Sequence, residues 1–225
     1  MDIETNKKNF ISNNFKSEII KLIDEIKSVC ADAGLGNSGY EYQIITEIFL
    51  YKFLNDKFIY EIKKIKNELE DYEEIYEYLN KLKKQDYEIL MMRLNENTAQ
   101  FETSQLISSI YKRQDETNFA KIFDDTLIGI AKKNDNIFSQ LTSGGKKIQI
   151  FESVSQYIND NPSLFCKAII NKFINFSFEK FFEEGFDFYA FIFEYLIKDY
   201  NSNSGGTDYA EYFTPIAVSR IIATC

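Results

Sequence analysis

The carboxyl-terminal stretch 211–215 holds the side chains whose types and order most suggest a binding site. It reads Glu-Tyr-Phe-Thr-Pro, and it follows a polar, glycine-bearing loop at 201–208. Thr214 is a good N-cap and Pro215 a good first helical residue, so the pair predicts a helix over 216–223. A capped helix explains Thr-Pro by itself. It does not explain the whole order of polar loop, aromatic pair, Thr-Pro and apolar helix.

Several kinds of chemistry are excluded by the residues that the sequence lacks. The chain has no histidine, which rules out a histidine general base, a Ser-His-Asp triad and any histidine metal site. Cys30, Cys166 and Cys225 are far apart, so they form neither a Cys-x-x-Cys motif nor a zinc site by themselves. An odd number of scattered cysteines fits reduced thiols in a cytoplasm.

Two glycine motifs also fail to match known phosphate-binding patterns. Gly144-Gly145-Lys146 lacks the remaining positions of a P-loop, and Gly34-Leu35-Gly36 lacks the third glycine and the preceding strand of a dinucleotide turn. Both are interpreted as ordinary turns.

Composition predicts an all-α fold. The 225 residues include two prolines and nine glycines, and abundant Lys, Glu, Leu and Ile favour helices joined by short polar turns. The formal net charge of −9 argues against a protein that coats nucleic acid through its overall field. Clusters of lysine sit beside acidic residues and are interpreted as solvated helix faces. No signal peptide or membrane-spanning run is present, so a cytoplasmic protein without membrane contact is expected.

Helical periodicity organises most of the chain. A first helix with apolar residues from Phe15 to Val29 ends in a glycine-rich turn at 33–39, and the second, 40–58, is apolar over more than one face. That breadth predicts a central helix covered on several sides. Further predicted elements are one or two exposed helices in 59–94, helices at 104–113, 118–133, 163–173 and 186–200, and a loop at 134–147.

Two stretches carry a resemblance to the modification subunits of type I restriction systems. In that family a helix leads through a glycine-containing loop to Glu-Phe-Tyr-Thr-Pro and an apolar helix; here 193–197, Gly205-Gly206 and 211–215 match in order. A second stretch, from Tyr42 to Asp56, resembles the Leu-Phe-Leu-Lys helix of the family's amino-terminal domain. The aromatic pair is swapped to Tyr-Phe, which leaves its stacking capacity but puts in doubt any role for a hydroxyl at Phe213.

The resemblance implies a helical amino-terminal domain at 1–182 and, at 183–225, the start of an α/β methyltransferase domain that binds S-adenosylmethionine and methylates adenine in DNA. It implies that Thr214 hydrogen-bonds the carboxylate of S-adenosylmethionine at the helix start made by Pro215. Tyr212 or Phe213 would form an apolar wall of the same pocket. The implied partners are DNA, a specificity subunit and, where the system has one, a restriction subunit.

Two motifs of such an enzyme are missing. The glycine-rich cofactor loop does not occur, and Asn161-Pro162 lacks the second proline and the aromatic of the Asn-Pro-Pro-aromatic loop, so an N-cap followed by Pro at the first helical position explains that pair. This chain is therefore expected to be inactive by itself and to be the amino-terminal part of a longer protein. An α-helical interaction module without a cofactor, or a regulatory DNA-binding protein, are the alternatives.

Overall fold

The computed structural model describes residues 3–69, 71–138, 140–141, 147–148, 150–182, 192, 194–196 and 198. The chain divides into two compact units, Met1–Phe186 and Asp187–Cys225. In the second unit, the five described residues are helical, and the Lys198 ammonium donates a hydrogen bond to Glu194 one turn earlier, at 2.6 Å.

The described part of the first unit is built from nine α-helices, which confirms the predicted all-α class. The helices are α1 Ile3–Asp32, α2 Gly39–Ile65, α3 Tyr72–Lys81, α4 Lys84–Met92, α5 Ile107–Lys112, α6 Phe119–Lys133, α7 Asp135–Phe138, α8 Pro162–Phe173 and α9 Glu179–Phe182. Two short 3₁₀ turns, Thr103–Gln105 and Ser155–Tyr157, precede α5 and α8. No described helix is long and apolar enough to cross a membrane.

Helix α2 is covered on several sides, as its broad apolar surface predicts, because it packs against α1, α3 and α9. It follows a turn in which Gly34 has a φ of +79°, a conformation that glycine adopts without steric cost. Ser38 caps its amino end by accepting the Glu41 N–H at 3.2 Å. Buried residues occur along the whole helix, which continues beyond the predicted end to Ile65.

The segment 134–147 was predicted to be a loop, and its described residues show more regular structure than that. Helix α7 begins at Asp135, and Gln140–Leu141 (β1) pairs with Lys147–Ile148 (β2) as a two-residue antiparallel ladder. The buried Asn134 side chain donates to the carbonyl oxygens of Ile130 and Gln100, both at 2.9 Å. These tertiary bonds fix the chain where α6 ends, and local polarity could not predict them.

Helix α8 begins as the Asn161-Pro162 pair predicts, but the cap differs. Pro162 is the first helical residue, while Asn161 lies in the left-handed region at φ 50°, ψ 55° and makes no side-chain capping hydrogen bond. Asparagine tolerates this conformation better than most residues. The helix packs against both α1 and α6, which brings the amino-terminal and middle parts of the chain together.

Candidate functional site

The predicted cofactor-binding residues, Tyr212, Phe213, Thr214 and Pro215, lie outside the described residues. The other stretch that carries the family resemblance, Tyr42 to Asp56, lies in α2 and is fully described. The candidate site is therefore sought in α2 and in the segments that hydrogen-bond to it.

A buried polar network lies at the middle of α2. The Lys52 ammonium donates to Asp56 Oδ1 at 2.9 Å, and the Asn55 amide donates to the same oxygen at 3.0 Å. All three side chains are at most 3 % exposed. A charged pair this deep is stable only when its remaining polar atoms also have partners.

Those further partners are backbone groups from distant parts of the chain. Asp56 Oδ2 accepts the Phe178 N–H at 2.9 Å, and Asn55 Oδ1 accepts the Ile107 N–H at 3.1 Å. One turn earlier, the fully buried Tyr51 hydroxyl donates to the Gln105 carbonyl oxygen at 2.6 Å. Helix α2 thereby fixes the start of α5 and the segment before α9, which are 52 and 122 residues away in sequence.

A cavity of about 220 Å³ lies beside this network, between Lys52, Asn55, Ser108 and Ser177. The positive charge of Lys52 is matched by the Asp56 carboxylate, so the cavity wall carries no net charge from this pair. An anion placed here would compete with Asp56 for the ammonium group. The network is consequently a structural element of the core, and its geometry does not form an anion site.

A second polar cluster connects the first half of α2 with the segment around residue 152. Glu47 accepts the Gln43 amide at 2.9 Å and the Glu152 N–H at 3.1 Å. Burial, together with the nearby carboxylates of Glu152 and Asp124, raises the pKa of Glu47 against the effect of these hydrogen bonds. A carboxyl group in this setting favours its neutral form more than an exposed glutamate does.

Asp124 of α6 organises the segment that follows the two strands. Its Oδ1 accepts the N–H groups of Val154 and Ser155 at 2.9 and 3.1 Å, and its Oδ2 accepts the hydroxyls of Ser153 and Ser155. Four donors thus converge on one carboxylate that is 7 % exposed. The arrangement holds a loop in place. Both carboxylate oxygens of Asp124 are already occupied as hydrogen-bond acceptors.

The lysine cluster at 63–66 lies beside acidic partners, as its spacing predicts. Lys63 pairs with Glu179 at 2.8 Å, and Lys64 pairs with Glu61 at 3.4 Å. Glu61 also accepts from Lys57 at 2.7 Å. Lysines that are already engaged with carboxylates do not form a continuous track for phosphates.

The described cysteines are buried and free. Cys30 and Cys166 have no exposed surface. Burial raises the pKa of the Cys30 thiol to about 12 and raises the pKa of Cys166 further. Thiols with such pKa values are poor nucleophiles. Within the described residues no group of three or more Cys, Asp or Glu side chains is arranged to hold a metal ion, and Cys225 lies outside those residues.

No protein family, curated protein or solved structure matches this chain. Any function assigned to it must therefore be argued from its own residues.

The sequence analysis missed the network of Lys52, Asn55 and Asp56, although a signal was present. Three polar residues at positions i, i+3 and i+4 lie within the largely apolar stretch 48–59. That spacing puts them on one face, one turn apart. On a helix covered from several sides, such a group must be buried and must therefore be paired.

Proposed function

We propose that this chain is the helical amino-terminal part of the modification subunit of a type I DNA adenine methyltransferase. In its complete form the protein would transfer a methyl group from S-adenosylmethionine to adenine in DNA, in association with a specificity subunit. The single observation that carries this proposal is the stretch 211–215, with the polar loop before it and the apolar run after it.

Two features of the described residues support the proposal. The stretch from Tyr42 to Asp56, which carries the second part of the resemblance, lies in a helix that is covered on several sides in an all-α unit. Within this stretch, Asn55 and Asp56 hold two distant backbone segments, and Lys52 pairs with Asp56. A helix that positions other segments in this way is suited to a domain that supports a separate catalytic domain.

The test uses the gene that encodes this chain, expressed to its natural stop codon together with the neighbouring reading frames. Transfer of labelled methyl groups from S-adenosylmethionine to adenine in duplex DNA is measured, and cofactor binding is followed by calorimetry. Replacing Thr214 by Ala and Pro215 by Gly removes a helix cap and one polar contact. The expected result is about a tenfold loss of cofactor affinity with an intact helical spectrum.

The chain offers a matched control for this experiment. Its other proline, Pro162, stands at the first position of a helix, α8, which is the position that the sequence predicts for Pro215. Pro162→Gly should therefore make a similar change in helix chemistry without changing cofactor affinity. If the natural gene product methylates no adenine, or if the change at 214–215 has no more effect than Pro162→Gly, the proposal is wrong.

A further inference from the structure

A groove of about 320 Å³ lies between the end of α1 and the beginning of α8. These two helices pack against each other, and the small side chains of Ala33 and Ala168 line the space between them. Phe165 is a buried part of the lining, whereas Leu164, which also lines the groove, is 65 % exposed. The volume is near the lower end of the range of about 300–1,000 Å³ that is usual for ligand sites. A groove of this size suits one or two side chains and not a whole helix face.

The two charged side chains that line this groove are both acidic. They belong to Asp32, the last residue of α1, and Asp160, which lies two residues before α8. Both are exposed, and neither carboxylate forms an ion pair or a hydrogen bond with another described residue. The groove therefore combines an apolar lining with two negative charges that the described residues do not compensate.

The sequence around the groove supplies no offsetting cation. The stretches 28–51 and 148–166 contain neither Lys nor Arg, and their acidic residues are Asp32, Glu41, Glu47, Glu152 and Asp160. The carboxyl end of α1 and the amino end of α8 carry partial charges of opposite sign, so their effects on the groove oppose each other. The two aspartates consequently decide the sign of the local field.

Lysines on the adjoining helices are already paired. On α8, Lys167 pairs with Asp115, and Lys172 lies 3.7 Å from Glu25 of α1. On α6, Lys121 pairs with Asp125 at 2.5 Å. None of these three lysines lines the groove.

The surface beside the groove is also aromatic and acidic. Tyr40 is 52 % exposed and stacks on Tyr157 with ring centroids 4.4 Å apart. Tyr157 lies three residues before Asp160, so the chain separates their Cα atoms by at most about 11 Å. The exposed Glu152 lies beside this pair, because its carboxylate is 3.4 Å from the Tyr157 hydroxyl. An acidic, partly apolar surface that extends beyond one groove suits a segment of a protein better than a small molecule.

We propose that the groove between α1 and α8 docks a segment of a partner protein through one arginine side chain. The stem of that arginine would lie on Leu164 and Phe165, and its guanidinium group would bond to Asp32 and Asp160. Arginine fits better than lysine, because the guanidinium group is planar, is less strongly hydrated and matches the geometry of carboxylates. The proposal does not depend on methyltransferase activity.

A second copy of this chain is a poorer occupant. Each copy has a formal net charge of −9, so two copies repel each other over their whole surfaces. A basic partner segment is instead attracted to this part of the chain.

Two short labelled peptides and one small molecule serve as probes. The peptides have a leucine on each side of a central residue, which is arginine in one and its neutral isostere citrulline in the other. Binding to the full chain is measured by fluorescence anisotropy at two salt concentrations. The arginine peptide should bind saturably and about tenfold more tightly than the citrulline peptide, with a smaller difference at high salt. Free arginine amide, added as a competitor, should bind more weakly than the arginine peptide.

Charge variants test the two aspartates against a general effect of net charge. Asp32→Asn combined with Asp160→Asn should weaken the arginine peptide by about tenfold and leave the citrulline peptide nearly unchanged. The matched control is Asp86→Asn combined with Glu96→Gln, which removes two exposed acidic charges outside the groove. This control should have a much smaller effect.

A further variant tests the apolar lining. Leu164→Ser should weaken the arginine peptide by about fivefold, because it removes an apolar contact from the groove. Its control is Met92→Ser, which changes an exposed side chain on α4. Circular dichroism shows whether each variant keeps its helical structure.

Several results would overturn the proposal. Two of them are the absence of saturable binding and equal binding of the two peptides. A third is a loss of affinity in the Asp32 and Asp160 variant that is no larger than in its control. Arginine amide that binds as tightly as the peptide would assign the groove to small guanidinium compounds, and a dimer in sedimentation equilibrium that Leu164→Ser abolishes would assign it to a second copy. None of these results bears on adenine methylation, so failure here is distinguishable from failure of the proposed function.

Discussion

Asp56 shows how a single buried residue can join distant parts of this chain. Its two carboxylate oxygens accept from Lys52, Asn55 and the backbone of Phe178. Replacing a complete buried pair by apolar groups is often tolerated, but removing one partner leaves an uncompensated charge in the core. At the residue scale, stability therefore depends on whether each buried polar atom keeps its partner.

Asp56→Ala should lower the free energy of unfolding by about 3–5 kcal/mol, because Lys52 is left buried without its carboxylate. Urea denaturation followed by circular dichroism measures the change. Asp115→Ala is the control, since that side chain is 81 % exposed and its ion pair is expected to contribute less than about 1 kcal/mol. Equal losses in the two variants would contradict a special role for the network.

Thr98 provides the opposite case, a buried hydroxyl oxygen without a hydrogen-bond partner. Thr98→Val should stabilise the protein by about 1 kcal/mol, because it replaces an unsatisfied polar group by a methyl group of similar size. Thr126 is the matched control, since its hydroxyl donates to the Ile122 carbonyl oxygen at 2.7 Å. Thr126→Val should be neutral or destabilising. Thermal unfolding measures the stability of both variants. A lower melting temperature for Thr98→Val than for the wild type would disprove this explanation.

Glu47 predicts a pH dependence of stability. Its pKa in the folded protein is raised above the ordinary value of 4.5, chiefly by burial, so folding favours the protonated form. The stability that Glu47 contributes is thus greatest at low pH and is lost as the pH rises through the folded pKa. Wild type should lose stability relative to Glu47→Gln over that interval. Denaturation curves of both proteins at several pH values give their free energies of unfolding. A difference that stays constant, or that shifts in favour of the wild type as the pH rises, would contradict the prediction.

At the scale of elements, single side chains position whole segments. The segment 150–158 contains one 3₁₀ turn, Ser155–Tyr157, and so satisfies few of its own backbone groups. Asp124 of α6 supplies the missing acceptors for Val154 and Ser155. The position of this segment is therefore set by a helix residue that lies 30 residues before Val154 in the chain.

Asp124→Ala should expose the amides of this segment. Hydrogen exchange at Val154 and Ser155 is expected to become about tenfold faster or more, while amides in α8 remain protected. The adjacent Asp125 is the control because it is exposed and pairs with Lys121. An equal effect of Asp125→Ala, or a uniform increase over the whole unit, would show that Asp124 does not act locally.

At the scale of the whole molecule, net charge opposes nucleic-acid binding by this chain alone. The formal net charge is −9, and many described lysines pair with carboxylates, as Lys63 does with Glu179. Phosphate binding draws its affinity from concentrated, available cations. In the proposed function, tight DNA contact therefore belongs to the larger assembly.

The isolated chain should bind duplex DNA weakly and without sequence preference at physiological salt. Fluorescence anisotropy with two unrelated duplexes measures this, and lowering the salt concentration should strengthen both interactions equally. Tight, salt-insensitive binding to one duplex would place a recognition surface on this chain and contradict the prediction.

Helical class and most helix positions follow from the sequence, because periodicity and composition act locally. Apolar spacing predicts α1 and α6, and the width of the apolar surface predicts that α2 is covered on several sides. The cofactor-binding assignment of 212–215 is likewise a sequence prediction and remains one, since these residues lie outside the described part of the chain. Local patterns identified candidates for chemistry but did not give their geometry.

The partners of buried polar groups were decided by the tertiary structure alone. Lys52 is visible in the sequence, but its burial is not, and neither is the hydrogen bond that Asp56 accepts from the Phe178 N–H, 122 residues away. Likewise, the run 89–92 reveals an apolar helix without showing which side chains remain uncovered. Burial and pairing depend on contacts between residues far apart in sequence, whereas helix formation depends mainly on neighbours within one or two turns.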